Sequence, residues 1–152
     1  MPASTIRIAT LSDLETVAEL FDLYRQFYEQ QPDRALAESF LRARMSNDES
    51  LILLAHDEHG QAQGFCQLYP TFCSVDAAPF YWLYDLFVHP DVRRTGVGRA
   101  LLKAAEQQAK DRGMIRMELT TATTNLKAQA LYESMGWELD KVFLTYKRFL
   151  VV

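Results

Sequence analysis

Two cysteines and three histidines among 152 residues leave little material for cross-links or metal ligation. Cys66 and Cys73 fall in or near one extended segment, which holds them well beyond the ~7 Å Cα separation that a disulfide tolerates. With no Cys-x-x-Cys or Cys/His signature beside them, they read as free thiols used as small apolar residues. His56 and His59 flank Asp57 and Glu58, but no further ligand set accompanies them and Gly60 explains a solvated turn, so no metal is expected. Long apolar runs are also missing. Leu51 to Ala55 is far short of the ~20 residues that span a bilayer, and Met1-Pro2-Ala3-Ser4 begins no signal peptide, so a soluble cytoplasmic protein without membrane partners is expected. Positive charge is in deficit. Sixteen Lys and Arg against twenty Asp and Glu give a net charge of −4, which argues against a nucleic-acid binder and suits a cationic substrate. Repeats, low-complexity tracts and linkers are absent, so residues 1–152 read as one domain.

What is present is a regular alternation of strand and helix patterns. Ile6 to Ala9 alternates like a strand, and Leu14 to about Glu29 repeats apolar residues at helical spacing until Pro32. A second helix is expected over 35–45, with Leu36, Phe40, Leu41 and Met45 inward. Ser50 to His56 and Ala62 to Tyr69 read as a hairpin closed before Pro70, and Phe80 to Val88 as a central strand. A helix from Val97 to Arg112 stops at Gly113. Residues 114–120 give a strand, Asn125 to Met135 a helix, and Val142 to Leu150 a last strand. The result is a mixed α/β (α+β) sheet with about four helices, in which strands 80–88 and 114–120, joined through a helix, run parallel.

The most informative segment is Arg93-Arg94-Thr95-Gly96-Val97-Gly98, lying between that central strand and a helix. The first amides of a helix lack internal partners and the helix dipole adds about half a positive charge, so this is an anion site. Glycines at 96 and 98 let a phosphate approach the backbone, and Arg93 and Arg94 add charge. A dinucleotide fingerprint would need glycine where Leu101 stands, and a P-loop Gly-x-x-x-x-Gly-Lys occurs nowhere. Downstream, Asn125-x-x-Ala128-x-x-Leu131-Tyr132-x-x-x-Gly136-Trp137 puts Asn125 and Tyr132 seven apart on one helix face, with small Ala128 between them.

Arg93-x-x-Gly96-x-Gly98 and the 125–137 segment together resemble the two signatures of the GNAT superfamily of N-acetyltransferases, with Trp137 where phenylalanine is usual. The resemblance implies an acetyl-CoA-dependent enzyme with a mostly antiparallel sheet whose two parallel central strands splay apart. The cofactor arm is then expected against Phe87 and Val88, and its pyrophosphate on the amides of Arg93, Arg94, Thr95, Gly96, Val97, Gly98 and Arg99. Asn125, Ala128 and Tyr132 would contact it from another side, with Tyr132 as the acid that protonates the leaving thiolate. Polyamine-acetylating relatives carry a Glu-Asp pair where this chain has Tyr84-Asp85. Asp85 is a candidate base, although adjacent strand residues face opposite sides, so it should not inherit the direction of the missing glutamate; ordered water or Glu29 are the alternatives, with Asp85 then a structural hydrogen-bonding residue. Tyr24, Tyr28 and Glu29, with Tyr84, are the candidate acceptor wall. The general look is that of the polyamine and histone-type branch, and the acceptor is a small-molecule amine or a protein lysine attacked directly within a ternary complex. Family habit implies a homodimer. The alternative is an acyl-CoA-binding or sensor domain that keeps the fold without transfer.

Overall fold

The computed structural model describes residues 4–151. The chain divides into two compact units, residues 1–120 and 121–152. The first contains β1 (Thr5–Ile8), a 3₁₀ turn at Leu11–Asp13, α1 (Leu14–Phe27), α2 (Arg34–Ser46), β2 (Leu51–His56), β3 (Ala62–Cys73), β4 (Ala78–Val88), α3 (Val97–Asp111) and β5 (Met117–Glu118). The sheet order is β1-β2-β3-β4-β5; the first four strands pair antiparallel, and β4 pairs parallel with β5. This is the mixed sheet with a parallel pair that the sequence pattern implies, mostly antiparallel as the family resemblance implies.

One face of the sheet packs on α1 and α2. Ile52 and Leu54 of β2, Phe65 of β3 and Phe87 of β4 form a buried cluster with Val17, Phe21 and Leu41. Gly64 faces the other way, where a Cβ would touch Leu101 of α3. Leu101, Leu102 and Ala105 of that helix are fully buried. Asp13 anchors the start of α1 to β1 by accepting two bonds from the Arg7 guanidinium, at 2.7 and 2.8 Å, and one from the Thr10 N–H. Asp33 caps α2 by accepting the Leu36 N–H at 3.0 Å.

Several boundaries differ from the sequence pattern for identifiable reasons. Helix α1 ends at Phe27, before Pro32, because Glu29 takes a left-handed conformation with φ 63°. The inner stripe of α2 is Ala37 and Leu41, whereas Leu36 and Phe40 are exposed. Pro70 does not end β3; it pairs opposite Tyr81 within the strand. The Tyr81 N–H is directed across to the Arg116 carbonyl near β5, so Pro70 opposes it in a pair that needs no ladder donor. The other side of β3 is also unpaired there, since β2 reaches only as far as Leu68. The segment expected as a strand over 114–120 is ladder-paired only at Met117 and Glu118.

The second unit holds α4 (Leu126–Ser134), capped by Asn125, whose Oδ1 accepts the Ala128 N–H at 3.2 Å. The helix stops at Gly136, φ 90°. The strand expected over Val142–Leu150 is not formed among the described residues. Asp140 instead accepts the Val142 and Phe143 amides at 2.8 and 3.1 Å, and a local side-chain turn of this kind competes with ladder pairing.

Candidate active site

Two features of β4 set up the site, and both arise from its pairing. The first is an open edge. The ladder to β5 consists of Tyr81↔Met117 and Trp82↔Glu118 and goes no further. His89 donates its N–H to the Gln63 carbonyl on the β3 side, so the Val88 N–H points to the opposite side, into the gap beyond the last β4–β5 pair. That edge leads through a 3₁₀ turn at Pro90–Val92 into α3, whose N-cap Gly96 is left-handed at φ 88°. The first i→i−4 bond of α3 runs from Ala100 N–H to the Gly96 carbonyl, so the amides of Val97 and Gly98 precede it and have no partner inside the helix. A strand edge with an outward amide, continuing into uncompensated helix amides, fits an extended amide-bearing arm with phosphates at its far end.

Arg93 departs from its expected role as mobile charge. Its Nε donates to the Val88 carbonyl at 3.1 Å, and its guanidinium lies 5.6 and 5.7 Å from the ring centres of Phe87 and Phe27. Arg94 adopts φ 67°, and the Thr95 hydroxyl donates to the Val92 carbonyl, which fixes the loop backbone around the helix start.

The second feature is a bulge. Gln67 pairs with Asp85 and Leu68 with Leu83, so Tyr84 is an extra residue on β4. Gln67 and Leu68 face opposite sides, and their partners Asp85 and Leu83 must do the same although they are two residues apart. Asp85 shares the α1 face with Phe87, two residues on along a regular stretch of the ladder. The extra residue brings Tyr84 beside it, so that Tyr84 and Asp85 line one cup together. The expectation that adjacent residues there must diverge is thereby corrected.

This cup has a volume of about 290 Å³. Its walls are aromatic: Phe21, Tyr24, Tyr28, Phe40, Tyr69 and Tyr84. Tyr24 meets Tyr28 edge-on at 5.1 Å and Tyr69 meets Tyr84 at 5.4 Å. The Tyr24 hydroxyl donates to the carbonyl of the bulge residue Tyr84 at 3.4 Å. Arg25, Gln30 and Asp85 complete the lining. Tyr24, Tyr28, Tyr84 and Asp85, four of the residues singled out from sequence, are brought together here, whereas Glu29 is exposed and lies outside the lining.

Asp85 is 5% exposed. Burial pushes its carboxyl above the usual range, opposed by hydrogen bonds from Gln67 and Tyr24 that favour the anion. Gln67, fully buried, donates to Asp85 Oδ2 at 2.7 Å and accepts the Ser50 hydroxyl at 2.7 Å. Sequence reasoning missed Gln67 and Ser50; the available signal was a lone amide within the apolar run Phe65-Cys66-Gln67-Leu68. Burial raises the neighbouring Tyr69 hydroxyl to about 12, with the nearby Asp85 adding to the effect, and the Cys66 thiol to about 12 as well, which removes that thiol as a nucleophile at neutral pH.

A larger cavity of about 390 Å³ surrounds Tyr81, Ser50 and Arg112, seven residues back along β4 from Val88. The cup's Asp85 lies three residues from Val88 on β4, nearer the strand end that leads to the 93–98 loop, so the chemistry is assigned to the smaller space. Among the described residues no cluster of His, Cys, Asp or Glu could hold a metal ion, and no helix is long and apolar enough to cross a membrane.

Residues 16–137 match the Acetyltransferase (GNAT) family. The chain belongs to that family. It is 48% identical over 141 residues to the uncharacterised N-acetyltransferase YhfO of Bacillus subtilis, covering 93% of this chain and 94% of that one. A crystal structure of a probable acetyltransferase superposes with a TM-score of 0.92 at 37% identity, over 97% of this chain and 99% of the other. An aminoglycoside N-acetyltransferase solved in complex with CoA has the same fold, with a TM-score of 0.81 at 20% identity over 97% and 96% of the two chains. The chain is thus an enzyme of the N-acetyltransferase class.

Proposed function

We propose that residues 1–152 form one transferase domain that moves the acetyl group of acetyl-CoA to a primary amine, by direct attack within a ternary complex. The observation that carries this reading is the outward Val88 amide on an unpaired strand edge that runs into the glycine-capped start of α3. Phe87 and Val88 would hold the pantetheine arm by backbone bonds, and the amides from Arg93 to Arg99 the pyrophosphate, with Asn125 and Ala128 as further contacts. When bound, acetyl-CoA supplies an activated acetyl thioester. The Val88 N–H is then the fixed donor for the oxygen on which negative charge develops. Asp85, held by Gln67, accepts the proton of the attacking amine. Tyr132 would protonate the departing sulfur; with ordinary values of ~10 for a phenol and ~8.5 for a thiol that transfer is uphill by roughly 2 kcal/mol, a gap small enough for a positioned acid.

The acceptor is the amine of a small molecule or of a protein lysine, reached through the cup on the α1 face. Release of CoA thiol from acetyl-CoA, followed across polyamines, aminoglycosides, amino acids and a lysine peptide, tests the reading. Amine-dependent release is expected. Tight acetyl-CoA binding without release on any amine would favour the sensor alternative, and absence of any CoA-induced rise in melting temperature would remove the site altogether.

A further inference from the structure

We infer that the cup on the α1 face selects a primary amine that carries a single positive charge on a compact aromatic or apolar body, rather than a polyamine, an aminoglycoside or a lysine within a peptide. The inference rests on the acetyl-transfer reading and deepens it. Charge is the first argument. One carboxylate, Asp85, lines the cup, and the other charged lining residue is the cationic Arg25. Glu29, which would have given a second anionic contact, lies outside it. An ammonium beside Asp85 is therefore matched once, and a second ammonium on the same molecule finds no second carboxylate in the lining and is repelled by the Arg25 guanidinium.

Size and surface point the same way. About 290 Å³ falls just below the ~300–1,000 Å³ typical of small-molecule sites, which suits one ring with a short side arm and not a multi-ring aminoglycoside. The walls present ring faces and edges from α1, α2, β3 and β4. Tyr24 and Tyr28 stand edge-on to each other, as do Tyr69 and Tyr84. A flat ring gains stacking and edge contacts in such a space that a thin methylene stem does not, and an ammonium is attracted to the tyrosine faces as it approaches Asp85. The bulge at Tyr84 places the carboxylate and the aromatic wall on the same side of β4, so amine and body are recognised together.

The experiment compares phenethylamine, n-propylamine, spermidine, kanamycin and a lysine peptide in two assays, calorimetric binding to the enzyme and acetyl transfer by thiol release. Phenethylamine is expected to bind most tightly and to exceed spermidine in kcat/KM by tenfold or more. Tyr28→Ala, at a half-exposed wall position where the fold is not at stake, should reduce the preference for phenethylamine over n-propylamine by roughly five- to tenfold. Asp85→Asn should weaken binding of both monoamines alike. Spermidine, kanamycin or the peptide binding or reacting better than phenethylamine would overturn the inference, as would an unchanged preference in Tyr28→Ala. Tight phenethylamine binding with no transfer to any amine would instead overturn the acetyl-transfer reading while supporting the cup's selectivity.

Discussion

Replacing Gln67 with leucine tests the buried polar chain that supports Asp85. The side chain is fully buried and makes two 2.7 Å bonds, one received from Ser50 and one given to Asp85. Leucine is close in size, so little cavity is created, but both partners lose their bond. A hydrogen bond to a charged acceptor contributes about 1.5–3 kcal/mol and a neutral one about 1 kcal/mol, and the gain from an apolar side chain in an apolar site offsets part of the loss. A net destabilisation of roughly 2–3 kcal/mol follows, which for a chain of this size lowers Tm by about 4–12 °C. Ser50→Ala removes only the neutral bond and should cost about 1 kcal/mol. Kinetics then separate support from packing. The Gln67 bond favours the Asp85 anion, so its loss must raise that carboxyl further and move the acid limb of kcat/KM to higher pH. Melting within 2 °C of the parent protein, or a folded variant whose acid limb has not moved, would refute the assignment of Asp85 as proton acceptor held by Gln67.

Three other outcomes are expected. Asp85 has its carboxyl raised above the ordinary 3.8 in the folded state, so the folded protein loses stability as pH rises from that value through the raised one. Asp85→Asn should lack this loss in pH-dependent melts while acetyl transfer falls sharply. A Cβ at Gly64 would lie 2.6 Å from the Phe87 carbonyl oxygen, a backbone atom that cannot step aside, so Gly64→Ala should cost about 1–3 kcal/mol in chemical denaturation and raise the KM for acetyl-CoA by displacing the Phe87–Val88 edge. Tyr132→Phe should lower kcat with little change in acetyl-CoA affinity measured by calorimetry; an unchanged kcat removes this tyrosine from the mechanism.

The helix start at Gly96 could be read in the sequence because its physics is local: a strand, two glycines and an amphipathic run follow one another, and Gly96 is left-handed with the helix bond from Ala100 closing on its carbonyl. The β2–β3 hairpin and the parallel β4–β5 pair were legible for a similar reason, since each joins consecutive strands. What escaped was register. Whether Pro70 ends a strand depends on which neighbours that stretch of strand has, and whether Val142–Leu150 forms one depends on a partner, while Asp140 offers its amides a closer bond. Tyr84 carries the largest consequence. Nothing in Leu83-Tyr84-Asp85 marks a bulge, yet one extra residue decides that Tyr84 shares a cup with Asp85. Gln67 gave a partial signal: a buried amide inside an apolar strand must find partners, and once the β3–β4 register is known its partner is the acid opposite it. On the proposed reading the acceptor side is written in the pairing of two strands and the cofactor side in a short motif, which is why the motif pointed to a cofactor and left the acceptor open.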